Sequence, residues 1–408
     1  MRFRNFSKIH AFFVLVAVFL LFSMYAISAV IYVDGINGSD TTGDGTQLFP
    51  YKTIHKGVNM ASSGDTVMVF DGIYSGNIII SKSIILQAGS NPIIDGGGGS
   101  GINIYTSNVT IDGFEVRNCY TGICVGYEAS PPGNLQNVKI LNNKIHNISS
   151  GNGAFGIYVG YQSENLPGGE PWTPQIPDHL DYSGLEIRNN EIYDSTGACL
   201  VLQSIKAGAG MLIVDGNHIH NGNASAIWLD SARDIEITNN ILEKCVTGIF
   251  ISGYADGYYT GIPNAPYDPQ NIYVLYNTIQ TNSVNGISVY DGWPSSIFIN
   301  YNNIVGSDTN EYAWGGIYRF VGGTEPIQAE YNWWGSTTGP RRLDPPTGSI
   351  RIGDGDRISK NVNCDPWLLK PFDDNVLYLL PNDASVYIKP NESITVELMV
   401  ANIQQYVK

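Results

Sequence analysis

Short runs in which apolar and polar residues alternate recur along most of this chain. Several copies share the phrase apolar-x-apolar-x-x-Asn-x-apolar, as in "VKILNNKI" from Val138 and "IEITNNIL" from Ile235. Alternation with a period of two predicts short strands that bury one face. The Asn of the phrase defines a ladder position, which is occupied by Phe114, Asn143, Asn190, Asn217, Asn240, Asn277, Asn302 and Asn332.

The spacing of the copies sets the size of one repeat. The shortest interval, from Asn217 to Asn240, is 23 residues, which fits three short strands with their turns. A period in the twenties indicates a solenoid, in which each repeat packs on the next. A leucine-rich repeat would need a dense Leu pattern, whereas Ile and Val dominate here. We predict an all-β fold, a right-handed single-stranded parallel β-helix whose Asn side chains stack from coil to coil.

A second column of alternating residues follows a small residue, usually glycine, in most repeats. Its apolar pairs, such as Ile227 with Leu229 and Ile249 with Ile251, are predicted to point inward. Aromatic rings suit sugar faces because they combine apolar area with a π-surface. The alternative is that the rings only cover one another on an exposed strand face. The aromatic residues that we assign to the outward positions of this column are Tyr158, Trp228, Phe250, Tyr290, Tyr318 and Phe320.

Two long segments leave the predicted helix directly after this column. They are "YQSENLPGGEPWTPQIPDHLDY" from Tyr161 and "GYADGYYTGIPNAPYDPQ" from Gly253. Loops of this length are usually functional or disordered, and their Pro and aromatic content favours packing. We predict that they contribute the walls of a groove whose floor is made by the aromatic strip. The aromatic residues that we predict to contact the ligand from these walls include Trp172 and Tyr254.

Residues 1–29 have the composition of a secretory signal peptide. Arg2, Arg4 and Lys8 precede the apolar run "AFFVLVAVFLLF", and small residues follow it. An uncleaved membrane anchor is the alternative. The segment predicts a secreted or cell-surface protein.

The β-helix is predicted to span residues 30–375, with a cap on its first coil. The apolar spacing over 51–62 predicts a short helix, which would cover the open end of the first strands. Beyond Pro371 the pattern changes to a longer alternation. Residues 376–408 are therefore predicted to be the truncated start of a second, β-sandwich domain.

Composition and charge narrow the class of partner. The chain has 408 residues, of which 46 are glycine and 14% are charged, and this favours short strands and tight turns over helix. Its formal net charge of −15 argues against a nucleic-acid partner, since phosphate binding needs clustered Lys and Arg. Four of the five cysteines lie in or beside strand patterns, so we predict that they fill the interior rather than form a disulfide framework.

The segment "YVDGINGSDTTGDGTQLFPYKTIHKGVNMASSGDTVMVFDGIYS" resembles the N-terminal entry of secreted right-handed β-helix proteins of the pectin-lyase-like superfamily. The repeats resemble the carbohydrate-binding and sugar-hydrolase repeats of that superfamily, and the tail is similar to the first strands of cohesin-like sandwich domains. The resemblance covers roughly residues 31–372. It implies the fold, whereas for activity it implies a range that includes lyases, hydrolases, epimerases, adhesins and binders.

The resemblance also implies what an enzyme of this class contains. The lyases use a calcium-binding carboxylate cluster with an Arg or Lys base, and the hydrolases use paired Asp residues with a Gly-His-Gly segment. This sequence has no Gly-His-Gly, and its one Asp-Asp pair, Asp373-Asp374, follows the predicted helix. The nearest catalytic candidates are Asp230, Arg233 and Asp234 in "AIWLDSARD", with local pairing in a turn as the alternative.

Two further groups carry side chains that bind metals. Oxygen ligands close together on a flexible turn are what Ca²⁺ requires, and Asx-turn chemistry is the alternative for such a segment. His218 and His220 share the outward face of one predicted strand, and His146 occupies the same repeat position as His220, but the sequence shows no evident third ligand. The candidate calcium ligands are Asp34, Asn37, Asp40 and Asp44.

These observations lead us to expect an extracellular module that binds a polysaccharide or glycan in an aromatic groove without catalysing a reaction. The alternatives are a polysaccharide lyase, hydrolase or epimerase that uses the same groove, and a structural spacer of a surface protein. Ca²⁺ is the one candidate cofactor of the module. A membrane contact is expected only through an uncleaved signal or a downstream segment.

Overall fold

Parallel strands stacked along one axis form most of this molecule. The structure, a computed structural model, describes residues 28–126, 133–149, 153–160, 180–253, 269–290, 296–307, 315–320, 326–342, 353–359 and 361–372. Within these residues the strands form three long sheets, which we name A, B and C. A further two-stranded pair joins Leu180–Asp181 to Ile205–Lys206.

The strands of each sheet follow one another from coil to coil in the part of the chain that the structure describes. Sheet A contains Val30–Val33, Thr66–Val69, Ile85–Ala88, Val109–Asp112, Val138–Leu141, Glu186–Arg188, Leu212–Asp215, Arg233–Thr238, Gln270–Leu275, Ile297–Asn300, Ile327–Gln328 and Val362–Asn363. Sheet B contains Ile73–Ser75, Ile93–Asp95, Glu115–Cys119, Lys144–Ile148, Glu191–Ser195, His218–His220, Ile241–Glu243, Thr278–Gln280 and Asn303–Val305. Sheet C contains Ile78–Ile80, Ile102–Ile104, Thr121–Val125, Phe155–Gly160, Leu200–Gln203, Ser225–Asp230, Thr247–Ser252, Asn285–Tyr290, Gly315–Arg319, Gly355–Ile358 and Pro340–Arg342.

The chain visits the sheets in the order A, B, C and then returns to A one level further along the axis. Val109–Asp112 in sheet A is followed by Glu115–Cys119 in sheet B and Thr121–Val125 in sheet C. The next strand, Val138–Leu141, pairs in parallel with Val109–Asp112. The predicted right-handed parallel β-helix is confirmed.

Branched aliphatic side chains from all three sheets fill the cylinder. In one coil these are Ile235 and Ile237 from sheet A, Leu242 from sheet B, and Ile249 and Ile251 from sheet C, and each is 0% exposed. Because strand side chains alternate between the two faces, the residues between them point outward. The predicted inside–outside register is therefore confirmed for this coil.

A left-handed turn residue precedes every Asn of the ladder. Asn239 has φ 55° and Tyr301 has φ 60°, a conformation in which Asn is tolerated better than most residues with a side chain. The tyrosine at this position is supported by its neighbours, since the Tyr301 ring stacks on those of Tyr276 and Tyr331 with centroids 5.5 and 5.3 Å away. The turn between sheets A and B thus explains the recurring Asn-Asn and Tyr-Asn pairs.

The second residue of each pair forms a buried hydrogen-bonded ladder, as predicted. The Asn240 side-chain Oδ1 accepts from the backbone N–H and the side-chain Nδ2 of Asn217, both at 2.9 Å. Its own Nδ2 donates to Asn277 Oδ1 at 2.9 Å and to the Val214 carbonyl at 3.0 Å. At the start of the ladder the N–H of Phe114 donates to Asn143 Oδ1 at 3.0 Å. Each Asn therefore links three successive coils.

A short helix, Ile54–Met60, covers the first coil where the capping helix was predicted. Thr53 is its N-cap, and its hydroxyl accepts the Lys56 N–H at 3.1 Å. Gly57 allows close packing, because a Cβ at this position would lie 2.6 Å from a methyl group of Val33. The helix is shorter than the predicted 51–62, since the chain at Tyr51 still forms a β-bridge with Val33. No helix in the described residues is long and apolar enough to span a membrane.

Of the four cysteines predicted to fill the interior, Cys119, Cys199 and Cys245 do so and Cys124 does not. Cys119, Cys199, Cys245 and Cys364 lie in the core of the cylinder, and Cys124 is buried in a separate cluster outside sheet C. The five thiols form no disulfide with one another. The predicted signal peptide, except residues 28 and 29, and the predicted start of a second domain at 376–408 lie outside the described residues.

Asp181 provides a titratable contact between coils in the two-stranded pair outside the three long sheets. Its carboxylate accepts hydrogen bonds from Ser183 N–H at 2.8 Å, Gly208 N–H at 3.0 Å and Gln136 Nε2 at 2.6 Å. Burial opposes ionisation of this group, but the hydrogen bonds outweigh it and lower the pKa of Asp181 from 3.8 to about 2. A carboxyl group of lowered pKa stabilises the fold above its unfolded pKa, and this contribution is lost as the pH falls through the folded value.

We expect Asp181→Asn to lower the melting temperature at pH 7 and to leave it unchanged near pH 2. The difference in melting temperature between the wild type and Asp181→Asn should disappear between about pH 4 and pH 2. This window is set by the pKa of Asp181 in the unfolded chain, 3.8, and in the folded protein, about 2. Thermal unfolding followed by circular dichroism at pH 7, 4 and 2 checks this. A gap of constant size at all three pH values would contradict the assignment.

Candidate functional site

The outward face of sheet C carries two parallel columns of side chains. The pairing aligns Val201 with Trp228, then with Phe250, Ser288 and Tyr318 along the first column. Two residues further along each strand, the second column contains Gln203, Asp230, Ser252 and Tyr290. The two columns lie side by side, so rings and polar groups are neighbours on this face; the rings of Trp228, Phe250, Tyr290 and Tyr318 are partly exposed, whereas Asp230, Ser252 and Ser288 are buried.

The predicted single strip of rings is wrong in two respects. Tyr290 pairs with Ser252, not with Phe250, so it belongs to the second column. The reason is its place in the strand, since Tyr290 follows the buried pair Ile287 and Val289 instead of separating it. The first column is also interrupted, because Val201 and Ser288 occupy outward positions at which the prediction required rings.

Tyr158 is not available as a contact ring. It points away from the cylinder but is only 1% exposed, and it forms a cluster with Cys124, Ala198 and Val201 against which Trp228 packs. Its hydroxyl donates to Gln203 Oε1. The ring therefore lies in the outward column but is covered, which corrects its assignment to the exposed strip.

The remaining rings form two groups. Trp228 and Phe250, both partly buried, have centroids 6.2 Å apart and planes inclined by 43°. Further along the axis, Phe320 meets Tyr290 at 5.3 Å and Tyr318 edge-on at 4.8 Å. Ser288 lies between the groups in the first column. The sheet therefore presents two aromatic pads, separated in the first column by Ser288, which is buried.

A polar network joins the first pad to the second column. Gln203 Nε2 donates to Asp230 Oδ2 at 2.8 Å, and the Ser252 hydroxyl donates to Asp230 Oδ1 at 3.4 Å. Trp228 Nε1 donates to Ser252 Oγ at 2.9 Å. Asp230 is 4% exposed, so its carboxylate is held in a defined position beside the indole. We call Gln203, Asp230 and Ser252 the polar cluster.

The three catalytic candidates do not form one group in the described contacts. Asp230 ends a strand of sheet C, whereas Arg233 and Asp234 begin the following strand of sheet A. Asp234 has φ 58° and accepts from Asn271 Nδ2 at 2.8 Å, which is a contact between turns of successive coils. Asp230 is the candidate that adjoins the rings.

Sequence reasoning missed Gln203 and Ser252. Both stand two residues beyond the outward position of the first column, as Asp230 does, in "LVLQ" and "IFIS". The signal was therefore present as a column of polar residues following each buried pair. Trp172 and Tyr254, the predicted wall residues, lie outside the described residues.

The predicted calcium ligands hold their own loop together. Asp34 and Asp44 accept backbone N–H groups of that loop, and the Asn37 amide donates to Asp34 at 3.0 Å. Asp40 ties the loop to the start of the helix, because it accepts the backbone N–H groups of Lys52 and Thr53. Burial opposes ionisation of Asp40, but hydrogen bonds, chiefly from Thr53, outweigh it and lower the pKa of this carboxyl. This is the Asx-turn alternative, and the geometry gives the calcium prediction no support.

Comparisons with known proteins agree with this architecture. The family described as "Right handed beta helix region" matches residues 179–324. The crystal structure of pectate lyase Pel9A has a TM-score of 0.50 and 12% identity, covering 88% of this chain and 85% of that chain. XylC in complex with xylose has a TM-score of 0.52 and 15% identity, covering 77% of this chain and 69% of that chain. A search of curated protein sequences gave no significant match.

At these identities the likeness to solved structures concerns the fold. Together with the stacked parallel sheets, it defines the class of protein: a right-handed parallel β-helix. A fold of this kind supports several activities, so function must be argued from the site.

Proposed function

We propose that this protein is an extracellular β-helix module that binds a polysaccharide or glycan on the outward face of sheet C. The observation that carries the proposal is the pairing of Trp228 and Phe250 with the polar cluster directly beside them. A sugar ring presents apolar C–H groups on its faces and hydroxyl groups at its edge. Rings and fixed polar groups on one surface match both.

The length of the face suits a chain of sugars rather than a single one. Trp228 and Tyr318 are separated by three coil steps, which corresponds to roughly 14 Å along the axis. Tyr290 and Tyr318 in the second pad would contact a later part of the same ligand. Trp172 and Tyr254, on the segments that join sheet C to sheet A, remain proposed wall residues.

The comparisons support a glycan as the class of partner. The pectate lyase Pel9A and the xylose complex of XylC share the fold at TM-scores of 0.50 and 0.52. The proposed location, secreted or at the cell surface, rests on the signal-like composition of residues 1–29.

Trp228→Ala is expected to weaken glycan binding by about 1–3 kcal/mol, the range of an aromatic anchor in an interface. A glycan array identifies a ligand, and calorimetry then compares the proteins. The matched control is Tyr273→Ala, which removes a ring stacked on Phe298 at 5.0 Å on sheet A, away from the proposed face. Trp228→Phe should restore part of the lost affinity because it keeps a ring.

If Trp228→Ala bound the glycan as tightly as the wild type does, per folded molecule, the binding site would not be on the sheet C face. If no glycan binds the wild-type protein, the structural-spacer alternative takes its place. Circular dichroism of each variant separates a loss of binding from a loss of fold.

A second function, catalysis on a polysaccharide, is favoured by one observation. Asp230 is a buried carboxylate held by Gln203 and Ser252 next to an open face, as a catalytic acid or base would be. We expect the wild-type protein to show no turnover of the bound glycan. Asp230→Asn should change its affinity for the glycan only modestly. In an enzyme that uses Asp230, the same change would lower turnover by about 10²-fold or more. Assay of released or unsaturated sugars distinguishes the two.

A further inference from the structure

The outward face of sheet B carries a group of imidazoles and carboxylates that the proposed function does not use. His218 and His220 lie two residues apart in one strand, so both side chains point the same way. The register places Glu191 beside His218 in the coil before, and Glu243 beside His220 in the coil after. Three successive coils therefore supply side chains to one patch.

The geometry points to a binding site for a transition-metal ion, Zn²⁺ in the first instance, formed by Glu191, His218 and His220. One ligand atom from each of these residues lies within 4.8 Å of the other two. His220 Nε2 is 3.4 Å from Glu191 Oε1. Zn²⁺ binds nitrogen and oxygen at about 2.0–2.2 Å in tetrahedral sites, which places neighbouring donors roughly 3.4 Å apart. The His220–Glu191 pair already has that separation.

The donor set selects the class of metal. Two imidazoles and one carboxylate suit Zn²⁺ and its transition-metal neighbours, whereas Ca²⁺ requires six to eight oxygen ligands. Glu243 lies at the margin of this group: its Oε1 is 3.3 Å from His218 Nε2, but it is not one of the three residues whose ligand atoms all lie within 4.8 Å of one another. Its other oxygen accepts from Gln280 Nε2 at 2.9 Å, which holds the carboxylate in place.

The patch is both ordered and accessible. Tyr193 lies between His146 and His220, with centroid distances of 4.9 Å to each and planes within 6° and 3°, so the His220 ring is held by stacking. The side chains of His218 and Glu191 are each 41% exposed, which leaves a path for an ion from solvent. Exposed lysines accompany both carboxylates: Lys144 lies 3.7 Å from Glu191, and Lys244 lies 3.4 Å from Glu243. Exposed ion pairs of this kind contribute little to stability, so a divalent ion can replace the lysine at little cost.

A neighbouring coil supplies an internal control. His146 Nε2 lies 3.2 Å from Glu115 Oε1, so it forms the same imidazole–carboxylate contact. The residue two positions before it is Lys144, where the other strand has His218, so this coil offers one imidazole instead of two. If the contacts at Glu191, His218 and His220 were only hydrogen bonds, the two coils would behave alike towards metal.

The test uses the full chain, free of affinity tags and treated with a chelator. We expect calorimetric titration with Zn²⁺ to show one saturable ion per chain, with the count checked by elemental analysis. His218→Gln, His220→Gln and Glu191→Gln should each weaken binding by tenfold or more, whereas His146→Gln should bind as the wild type does. Zn²⁺ should also raise the melting temperature of the wild type and of His146→Gln, since an ion that binds only the folded state stabilises it.

Absence of a saturable Zn²⁺ ion in the wild type would overturn the proposal. So would binding that the three ligand variants leave unchanged, or that His146→Gln weakens as much as they do. All four substitutions are at outward positions, so circular dichroism should show a wild-type fold. If His220→Gln does not fold, His218→Gln and Glu191→Gln carry the test.

Discussion

Ile237→Asp is expected to lower the free energy of unfolding by several kcal/mol and to disrupt the coils on either side. Ile237 is 0% exposed and lies in sheet A between Val214 and Val274 of the adjacent coils. A carboxylate at this point would be buried among aliphatic side chains with no partner to balance its charge. Because each coil packs only on its neighbours, the damage should spread to both.

Urea and thermal denaturation followed by circular dichroism measure this loss. The control, Glu236→Asp, places the same side chain one residue earlier, where the strand faces outward and the wild type already has a carboxylate. It should melt close to the wild-type temperature. An unchanged melting temperature for Ile237→Asp would mean that the inward register of this strand is wrong.

Asn240→Ala is expected to cost about 1–3 kcal/mol, because it leaves the buried backbone N–H of Asn217 without its acceptor. The Asn217 side-chain amide loses one acceptor but keeps the Ile187 carbonyl at 2.9 Å, and the Val214 carbonyl loses a donor. A buried group left unsatisfied costs about 1–3 kcal/mol. Asn240 is 1% exposed, so water cannot easily replace the lost bonds.

The matched control for the ladder is Asn239→Gly. Glycine keeps the left-handed turn at φ 55°, and the change removes one partly exposed hydrogen bond to Asp215 at 2.8 Å. We expect a loss of about 1 kcal/mol, measured by the same urea titration. Equal losses for the two variants would show that the ladder contributes no more than an ordinary turn.

The core and the ladder could be predicted from the sequence because burial leaves few choices. Ile235, Ile237 and Leu242 must be apolar in a closed cylinder, and this requirement produces the period of two that the sequence displays. Asn240 recurs for a similar reason, since a buried turn must satisfy its backbone groups in every coil. Such constraints act locally and repeat, so a single sequence reveals them.

The outward face was predicted less well because neighbouring coils determine it. Tyr158 alternates correctly with buried residues, yet its exposure depends on Cys124, Ala198 and Val201 in other coils. Tyr290 falls in the second column, not the predicted one, because it follows the buried pair Ile287 and Val289 instead of separating it. Outward positions carry no apolar requirement that would reveal such an error.

Glu191, the carboxylate proposed to bind metal with His218 and His220, could have been found from the Asn ladder. Glu191 and His218 each follow a ladder residue directly, Asn190 in one case and Asn217 in the other. The ladder therefore gives the register of sheet B, and with it the neighbour of each histidine in the adjacent coil. Without that register, 27 residues separate the two side chains along the chain.

Coil length varies most at the return from sheet C to sheet A, and this has a consequence for how the molecule can be altered. Ladder residues are 23 positions apart between Asn217 and Asn240 but 47 apart between Asn143 and Asn190. In the longer coil the additional chain falls between Gly160, at the end of sheet C, and the return to sheet A. Each return from sheet C to sheet A is therefore a natural graft point, at which foreign peptides can be displayed in a row at coil spacing. Insertions there add recognition surface while the cylinder keeps its register, so binding can diversify independently of folding.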